Sequence, residues 1–418
     1  MTRQRFARGV RHAPPRHQQR GVIAIMVGLS LAVLIGFAGL ALDGGRLYVA
    51  KTELQNAADA CALAAAYELT GAPAIAAASF TDAHNAGMLV ATSNRVGFQG
   101  GSIEAQDVTI EFGDSLAAGA WLTAASNPPG TSKYVRCTVQ ETGIAPWFMQ
   151  VVGFGPQEVS SMATATLANA QTNCGIPMGM CTKGPAPTYG LTKGEWIVGR
   201  FESGGGITGS FNWIDFSPPA GGQSELGDLL KGNGVCNLNV TVPVGQPGNM
   251  GNAAAQAWNT RFGLYQGSTG PSSAPPDRTG YSYSPTNWPS QANALNDFIA
   301  RRGSHDPYGA TVQAGNAITG LSVSNGYKPA TVAEHSQYGA DRRLVVAPLV
   351  DCSGWATSQT VPIAAWACVL MLHPIDGPGA DVRMEYEGVA SDPTSPCATS
   401  GVVGGAGSIG PLVPGLVQ

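Results

Sequence analysis

Residues Val22 to Leu42 form a run of 21 residues without a charged side chain, VIAIMVGLSLAVLIGFAGLAL. At about 1.5 Å per residue, a helix over this run is about 30 Å long, which matches the hydrocarbon thickness of a bilayer. Six basic residues and no acidic one precede it: Arg3, Arg5, Arg8, Arg11, Arg16 and Arg20. Positive flanks stay on the cytoplasmic side of a membrane, so this pattern predicts a basic cytoplasmic tail (1–20), one transmembrane helix (21–42) and an exported body.

Two other interpretations of the apolar run exist. A cleaved signal peptide has an apolar core of about 7–15 residues and a small-x-small cleavage site after it. The best such site here, Gly36-Phe37-Ala38, lies inside the run. A buried helix of a soluble protein does not account for the one-sided arginines. An uncleaved anchor in the inner membrane of a bacterial-type cell is therefore the interpretation adopted, with lipid as the first partner.

The charge of the body argues against nucleic acid as a partner. The tail holds six of the 23 basic residues, which leaves a net charge of -10 on the rest of the chain. Proteins that bind nucleic acid present basic surfaces. A tail that binds RNA by itself remains an alternative, but the adjacent apolar run already explains the arginines through topology.

Small residues recur along one face of the predicted membrane helix, at Gly28, Ala32 and Gly36. Such strips allow a second membrane helix to approach closely, so these three positions predict a helix-packing face. The alternative is that glycine and alanine are simply common in membrane helices.

The helical pattern continues beyond the membrane. Small and apolar residues follow a spacing of three and four: Leu47, Ala50, Leu54, Ala57, Cys61 and Ala64. This narrow stripe predicts a helix that packs closely on a partner. Gly71 and Pro73 are expected to end it, and Asp43-Gly44-Gly45 is expected to bend it at the membrane exit.

The same region carries a recognisable set of residues: Asp43, Gly45, Arg46, Tyr48, Leu54, Gln55, Asn56, Ala57, Ala58 and Asp59. With Arg20-Gly21 before the apolar run, this set resembles the N-terminal region of TadG-like proteins of the tight-adherence (Tad, Flp-type) pilus system. The resemblance covers roughly residues 20–70. It implies a membrane-anchored structural or assembly component of a pilus apparatus, whose partners are other Tad pilus-assembly proteins or pilus subunits.

Two departures limit what the resemblance implies. Counting from Gly21, the position where prepilin peptidase substrates carry a glutamate is Met26, which argues against processing. Longer TadG-like proteins contain a von Willebrand factor A domain whose metal site begins Asp-x-Ser-x-Ser. The nearest sequence here, Asp351-Cys352-Ser353, lacks the second serine, so neither that domain nor its magnesium is expected.

The predicted fold class is α+β. The long helix is expected to pack on a small antiparallel sheet within a Tad-like exported domain (43–170). A helix is predicted around 74–86. Alternating residues favour strands at 108–112, 134–141 and 159–167, and Pro146 opens a short apolar helical turn.

Residues 171–418 are rich in glycine, proline and cysteine and predict a mixed α/β exported domain. Helices are expected at 224–231, 253–265 and 290–301, the last opened by Asn287 and Pro289. Strands are expected at 196–201, 211–216, 344–350, 367–373 and 382–388. Loops are expected at 267–289 and 401–418.

The cysteines of the second domain form an even set that suggests disulfides in an oxidising compartment, with 15 connectivities open: Cys174, Cys181, Cys236, Cys352, Cys368 and Cys397. A zinc site is the weaker alternative, because no C-x₂-C pair is present. Cys61 and Cys137 are left over. Cys61 lies on the small-residue stripe and is interpreted as the equivalent of a buried alanine.

No catalytic motif stands out, so the chain is not expected to be an enzyme, and no cofactor or metal is predicted. His305-Asp306 and His373 near Asp376 are interpreted as loop or surface residues. Asp376 and Asp381 are interpreted as parts of an ordinary turn, with a calcium loop as the alternative.

A second function is kept as an alternative, a membrane-tethered protein that binds or hydrolyses envelope glycans. Trp213 and Asp215 would line its sugar site, although packing is the preferred role for the tryptophan. No pattern fixes the oligomeric state.

Overall fold

The computed structural model describes residues 20–69, 75–117, 119, 121–202, 207–218, 222–232, 234–236, 243–247, 252–303, 326–356, 360–405 and 407–417. The basic residues before Arg20, the expected helix end at Gly71 and Pro73, and the pair His305-Asp306 lie outside these residues. Contacts divide the chain into two units. Unit 1 ends at Thr166 and includes the chain end from Leu416, and unit 2 is Leu167–Gly415.

Unit 1 combines two helices with an antiparallel sheet. The helices are α1 (Arg20–Tyr67) and α2 (Ala77–Ser93). The strands are β1 (Arg95–Val96), β2 (Gly101–Ser102), β3 (Val108–Gly113), β4 (Tyr134–Ile144) and β5 (Gln157–Thr172), and β5 continues into unit 2. β4 lies between β3 and β5, and β1 pairs with β2. This is the α+β arrangement expected from the sequence.

Helix α1 is a single helix of 48 residues, or about 72 Å. Its first half exposes large apolar side chains from Ile23 to Leu42, and within the described residues it is the helix that is long and apolar enough to cross a membrane. The chain is therefore a membrane-anchored protein. A bend is expected from the sequence at Asp43-Gly44-Gly45. The helix is not interrupted there, because α-helical structure continues through these residues.

The second half of α1 forms the core of unit 1. Its small residues, among them Ala57, Ala58 and Ala65, are fully buried. Because these side chains are short, α2 approaches closely: a Cβ added to Gly87 would lie 3.1 Å from the Cβ of Ala65. The sheet contributes the alternating buried side chains of β4, Val135 among them.

A disulfide joins this helix to the sheet. Cys61 of α1 is bonded to Cys137 of β4, across a sequence separation of 76 residues. The interpretation of Cys61 as a buried alanine equivalent is therefore wrong. Cys61 on the small-residue stripe faces the buried side of β4, where its partner Cys137 lies.

Unit 2 is built on a seven-stranded mixed sheet. Its strands lie in the order β8 (Ile207–Gly209), β7 (Trp196–Phe201), β16 (Asp381–Val389), β15 (Ile363–Met371), β13 (Leu344–Val350), β6 (Met178–Cys181) and β9 (Phe211–Trp213). Neighbours are antiparallel except β13 and β6. Shorter pairs are β10 (Val244–Gly245) with β14 (Thr360–Val361), and β11 (Leu264–Tyr265) with β12 (Lys328–Pro329).

The two edge strands of this sheet, β8 and β9, belong to one short segment of the chain. Ser210 separates β8 from β9, and it accepts a hydrogen bond from the amide of Cys181 and donates one to Val198. The segment thus joins the two edge strands, which leaves few unpaired backbone groups at the sheet edges. The side chains of Phe211 and Trp213 are fully buried on the side where Trp213 meets Trp258, with ring centroids 6.0 Å apart.

In the described part of unit 2, four short helices accompany the sheet: α3 (Gln223–Lys231), α4 (Ala253–Thr260), α5 (Leu295–Arg302) and α6 (Val332–Tyr338). Helix α5 begins five residues later than expected. Its first amides, from Ala294 and Leu295, donate to the buried carboxylate of Glu385 at 2.7 and 2.9 Å, and this long-range bond sets where the helix starts.

The expectation of a loop from 401 to 418 is wrong in part. Strand β17 (Ala398–Val403) pairs with β5, and β18 (Leu412–Leu416) also pairs with β5. Both strands contain glycine or proline and show no alternation of apolar and polar residues, so the local sequence does not predict them. They are defined by pairing with β5, which is far away in sequence.

All six cysteines of unit 2 are paired, as Cys174–Cys236, Cys181–Cys352 and Cys368–Cys397. These pairs select one of the connectivities that the sequence left open. No cysteine of the chain is free.

Removing the unit 1 disulfide should loosen α1 from the sheet. Closing a loop of 76 residues contributes about 4 kcal/mol on the chain-entropy account. We expect Cys61→Ala/Cys137→Ala to speed amide exchange in residues 47–67, measured by hydrogen–deuterium exchange on the detergent-solubilised chain. The control Cys368→Ala/Cys397→Ala, in unit 2, should leave that exchange unchanged. Wild-type exchange in the first variant would contradict the role of the bond.

A pH dependence follows from a second buried carboxyl in β16. Glu387 lies two residues after Glu385 on the same face of the strand. Burial is the main cause that raises the pKa of Glu387, and the adjacent Glu385 raises it further, to about 8. Between about pH 5 and 8 the folded chain keeps a proton that the unfolded chain has released. The stability of unit 2 should therefore fall as the pH rises through this window, by at most about 1.4 kcal/mol per unit, and level off above it.

Guanidinium unfolding at several pH values, followed by tryptophan fluorescence, measures this slope, since six of the eight tryptophans lie in unit 2. Glu387→Gln should flatten the slope, whereas Asp228→Asn, at an exposed position of α3, serves as the control. A slope that Glu387→Gln leaves unchanged would assign the pH dependence to another group.

Candidate functional site

The carboxylate of Asp43 lies where α1 leaves its apolar half, and only 2% of the residue is exposed. Its Oδ1 accepts a hydrogen bond from the amide of Trp147 at 2.8 Å. Its Oδ2 accepts from the amides of Phe148 and Met149 at 2.9 and 2.7 Å. One side chain of the helix therefore holds three consecutive amides of a distant loop.

These amides open a 3₁₀ turn, Met149–Val152. The first amides of any helical turn lack partners within it, and an anion placed there is favoured. Desolvation raises the pKa of Asp43, but the three N–H donors and the charge of Arg46 outweigh it, so the pKa lies below its ordinary value. The carboxylate therefore stays charged at neutral pH.

Arg46 holds the same loop from one turn further along α1. Its Nη1 donates to the carbonyl oxygen of Ala145 at 2.6 Å, and its guanidinium lies 4.9 Å from the ring centroid of Trp147. On the other side of Asp43, Gly39 lets the loop approach: a Cβ there would lie 2.7 Å from the Cβ of Phe148. The loop of residues 146–155, called the apolar loop below, is thus fixed to α1 by a carboxylate, a guanidinium and a close packing contact.

A second row of contacts ties α1 to β5. Lys51 donates to the carbonyl oxygen of Ser160, and Ser161 Oγ donates back to the carbonyl of Lys51 at 3.2 Å. Gln55 Nε2 donates to the carbonyl of Met162 at 3.2 Å and to Asp59 Oδ1 at 2.8 Å. Polar residues of the helix thereby continue the docking surface that Asp43 and Arg46 begin.

The remaining residues of the sequence motif divide into two groups. Leu54, Ala57 and Ala58 are fully buried in the core of unit 1. The exposed members are Gly45, Tyr48 and Asn56. The motif therefore describes one helix that docks through one face and leaves the other face free.

The residues that make these contacts lie in a segment whose sequence matches a known family model. Residues 21–68 match the family model Tad, described as "Putative Flp pilus-assembly TadE/G-like". The resemblance noted from the sequence is confirmed over these residues, here called the Tad segment. No curated protein and no solved structure matches the chain. The Tad segment coincides with α1 to within one residue, and three of its motif residues, Asp43, Arg46 and Gln55, hold the apolar loop or β5.

The small-residue strip lies on the membrane half of the Tad segment. A Cβ at Gly28 or Gly36 would meet nothing within 4 Å. Ala32 and Gly36 line a groove of about 500 Å³ whose other wall is the apolar loop. Packing of a second membrane helix on this strip stays a prediction.

In the described part of unit 2, the side chains that the sequence suggested as catalytic, metal-binding or sugar-binding groups are buried or bonded to neighbouring residues. The ring of Trp213 is fully buried, and Asp215 accepts from the amide of Ser217 at 2.8 Å. His373 is buried, which lowers its pKa to about 4, and it bonds the carbonyl of Pro374. Asp381 forms an ion pair with Arg383 at 2.6 Å.

The sequence that only partly resembled a metal motif also has another role. Asp351 accepts hydrogen bonds from the amide and hydroxyl of Ser353, at 3.0 and 2.6 Å, and these bonds lower its pKa. Cys352 is bonded to Cys181. These three residues form a local turn tied to β6.

The docking of the apolar loop on α1 is not predicted from the sequence, although the short helical turn is. A signal was present, because no charged residue lies between Glu141 and Glu158. The partner of Asp43 was not visible, since more than a hundred residues separate it from the amides of residues 147–149.

Replacing Asp43 with asparagine should release the apolar loop. An amide offers a single acceptor oxygen and sets an NH₂ group against at least one of the three N–H donors. We expect Asp43→Asn to speed exchange of the amides of residues 147–149 by about tenfold or more, measured by hydrogen–deuterium exchange. Asp59→Asn, on the same helix, should leave it unchanged. Equal exchange in wild type and Asp43→Asn would show that other contacts hold the loop.

Proposed function

We propose that this chain is a membrane-anchored component of a Tad/Flp-type pilus-assembly apparatus. It lies in the inner membrane with its N-terminus in the cytoplasm and its body exported. It acts by anchoring and by contacts with other Tad proteins or pilus subunits, not by catalysis. The observation that carries the proposal is that the Tad segment is one unbroken helix, apolar and exposed in its first half and docked into a folded unit in its second.

The orientation is supported from both sides of the helix. Six arginines and no acidic residue precede the apolar run, as is typical of a cytoplasmic flank. Every cysteine after the run is in a disulfide, and such bonds persist outside the reducing cytoplasm. These two observations are independent, and they support the same topology.

The non-catalytic role is supported by what the candidate polar residues do. Asp43, Arg46 and Gln55 are occupied in bonds to the backbone of unit 1. The glycan-binding alternative needs an accessible aromatic platform, yet the ring of Trp213 is buried against Trp258. A rigid anchor whose polar side chains are engaged in docking fits a protein that positions its partners.

Deletion of the gene with complementation tests the proposal. We expect the deletion strain to lose surface pili and adherence, and the full-length wild-type gene to restore both. Asp215→Asn should complement as well, because that carboxylate serves a local turn. Restoration by wild type but not by Asp215→Asn would favour the glycan alternative, and normal piliation in the deletion strain would contradict the pilus role.

Purification of the tagged chain from native membranes, followed by mass spectrometry, identifies the partners. We expect pilus-assembly proteins or pilus subunits to be enriched over a purification from cells that carry an untagged chain. Recovery of envelope glycan enzymes in their place would count against the proposal.

A further inference from the structure

The apolar loop exposes large apolar side chains next to a helix that itself faces lipid. Val151 is 85% exposed, and Trp147, Phe148 and Phe154 are each about half exposed. The loop carries no charged residue. Exposed apolar clusters of this kind mark surfaces that contact a membrane or a protein partner.

The position of the loop along α1 favours the membrane. Its groove wall faces Ala32, Ile35, Gly36, Gly39 and Leu40, all within the apolar run. Gly39 and Ala32 precede Asp43 by about 6 and 16 Å along the helix axis. A helix that crosses the bilayer over 21–42 therefore carries the loop beside it, at the depth of the outer half of the hydrocarbon layer.

Six backbone amides of the loop are bonded within the protein, which lowers the cost of entering lipid. In hydrocarbon, each amide without a partner costs several kcal/mol, so irregular backbone is excluded unless its polar groups are bonded. The first three amides are bonded to Asp43. The turn bonds three more: the amides of Val151, Gly153 and Phe154 donate to Phe148, Gln150 and Met149 at 3.1, 3.1 and 3.2 Å.

The side chains of the loop become less polar from the end near Arg46 toward the apolar run, which matches the change in polarity from the headgroups to the hydrocarbon layer. Trp147 lies under the guanidinium of Arg46 at the polar end, and indole rings are enriched at the headgroup level. Phe148, Val151 and Phe154 line the groove against the apolar run. The one polar side chain, Gln150, donates its amide to the carbonyl oxygen of Trp147 at 3.2 Å.

From this arrangement we propose that the apolar loop is a second membrane element, embedded in the leaflet away from the arginine tail and in contact with lipid acyl chains. The Asp43 carboxylate and Arg46 then lie at the lipid–water boundary, and unit 1 is held to the bilayer at two places. Two attachment points restrict the tilt of the exported unit in a way that a single helix does not. The inference rests on the transmembrane placement of α1.

Single introduced cysteines test the inference on the full chain, because all eight native cysteines are paired. The chain is placed one copy per nanodisc in phosphatidylethanolamine and phosphatidylglycerol, which leaves lipid as the partner. Three variants are compared: Val151→Cys in the loop, Leu34→Cys on the membrane half of α1 and Leu89→Cys on α2. The last two replace apolar residues that are 65% and 69% exposed.

We expect a membrane-impermeant maleimide to label Val151→Cys and Leu34→Cys about tenfold or more slowly than Leu89→Cys. Nitroxide labels at the two slow positions should collide with oxygen more often than with a water-soluble nickel complex. If Leu34→Cys is protected while Val151→Cys reacts like Leu89→Cys, the loop is in water and the inference is overturned, although the anchor stands. If both react quickly, the transmembrane placement fails as well.

A second measurement avoids a new thiol. Phospholipids brominated on their acyl chains quench tryptophans that lie within or at the edge of the hydrocarbon layer. We expect wild-type fluorescence to be quenched more than that of Trp147→Phe, with the difference greatest for bromines near the carbonyl end of the chain. Equal quenching of the two proteins would place Trp147 outside the bilayer and contradict the inference.

Discussion

The carboxylate of Asp43 determines how the exported fold begins. It lies on the helix at the residue where the apolar run ends, and it binds three amides of a loop that the chain makes only after the first strands of the sheet. A charged group this buried costs free energy unless it is paired, and here the donors are backbone N–H groups together with Arg46. The bond is therefore formed only when helix and sheet are correctly in register.

Further contacts in unit 1 hold the helix in the same register with the sheet. Lys51 and Gln55 repeat the helix-to-backbone contact about two and three turns after Asp43, and Cys61 adds a covalent bond to Cys137. Between them the small residues of the stripe remove the side-chain bulk that would hold helix and sheet apart. The result is that the helix cannot rotate about its axis without breaking contacts in several successive turns, so the orientation of the membrane half is coupled to that of the folded half.

The sequence predicted the elements whose signal is local. The alternation of Tyr134–Gln140 gave a half-buried strand that the structure confirms, and the 3–4 spacing after the apolar run gave the docked helix. The elements that it missed depend on distant partners. The strands in 398–416 are defined by pairing with β5, and the start of α5 by Glu385.

The same division applies to the candidate site. A resemblance drew attention to Asp43 and Arg46, but neither spacing nor composition says what a single aspartate on a helix binds. The pairing of Cys61 was missed for a similar reason, since a stripe of small residues has a complete explanation in packing alone. In both cases the partner lies more than seventy residues away, on an element whose position only the fold supplies.

Unit 2 shows how a chain with long irregular connections can still be rigid. Arg343 is fully buried and donates to the carbonyls of Met371 and Leu372 at the end of β15 and to those of Thr279 and Tyr281 in the loop predicted at 267–289. One planar side chain with five donors thus bonds four carbonyls at positions where water is excluded. Together with three disulfides, such bonds replace regular secondary structure as the means of fixing loops. A unit held in this way keeps its loops in fixed positions, which agrees with the proposed role of presenting a surface to a partner.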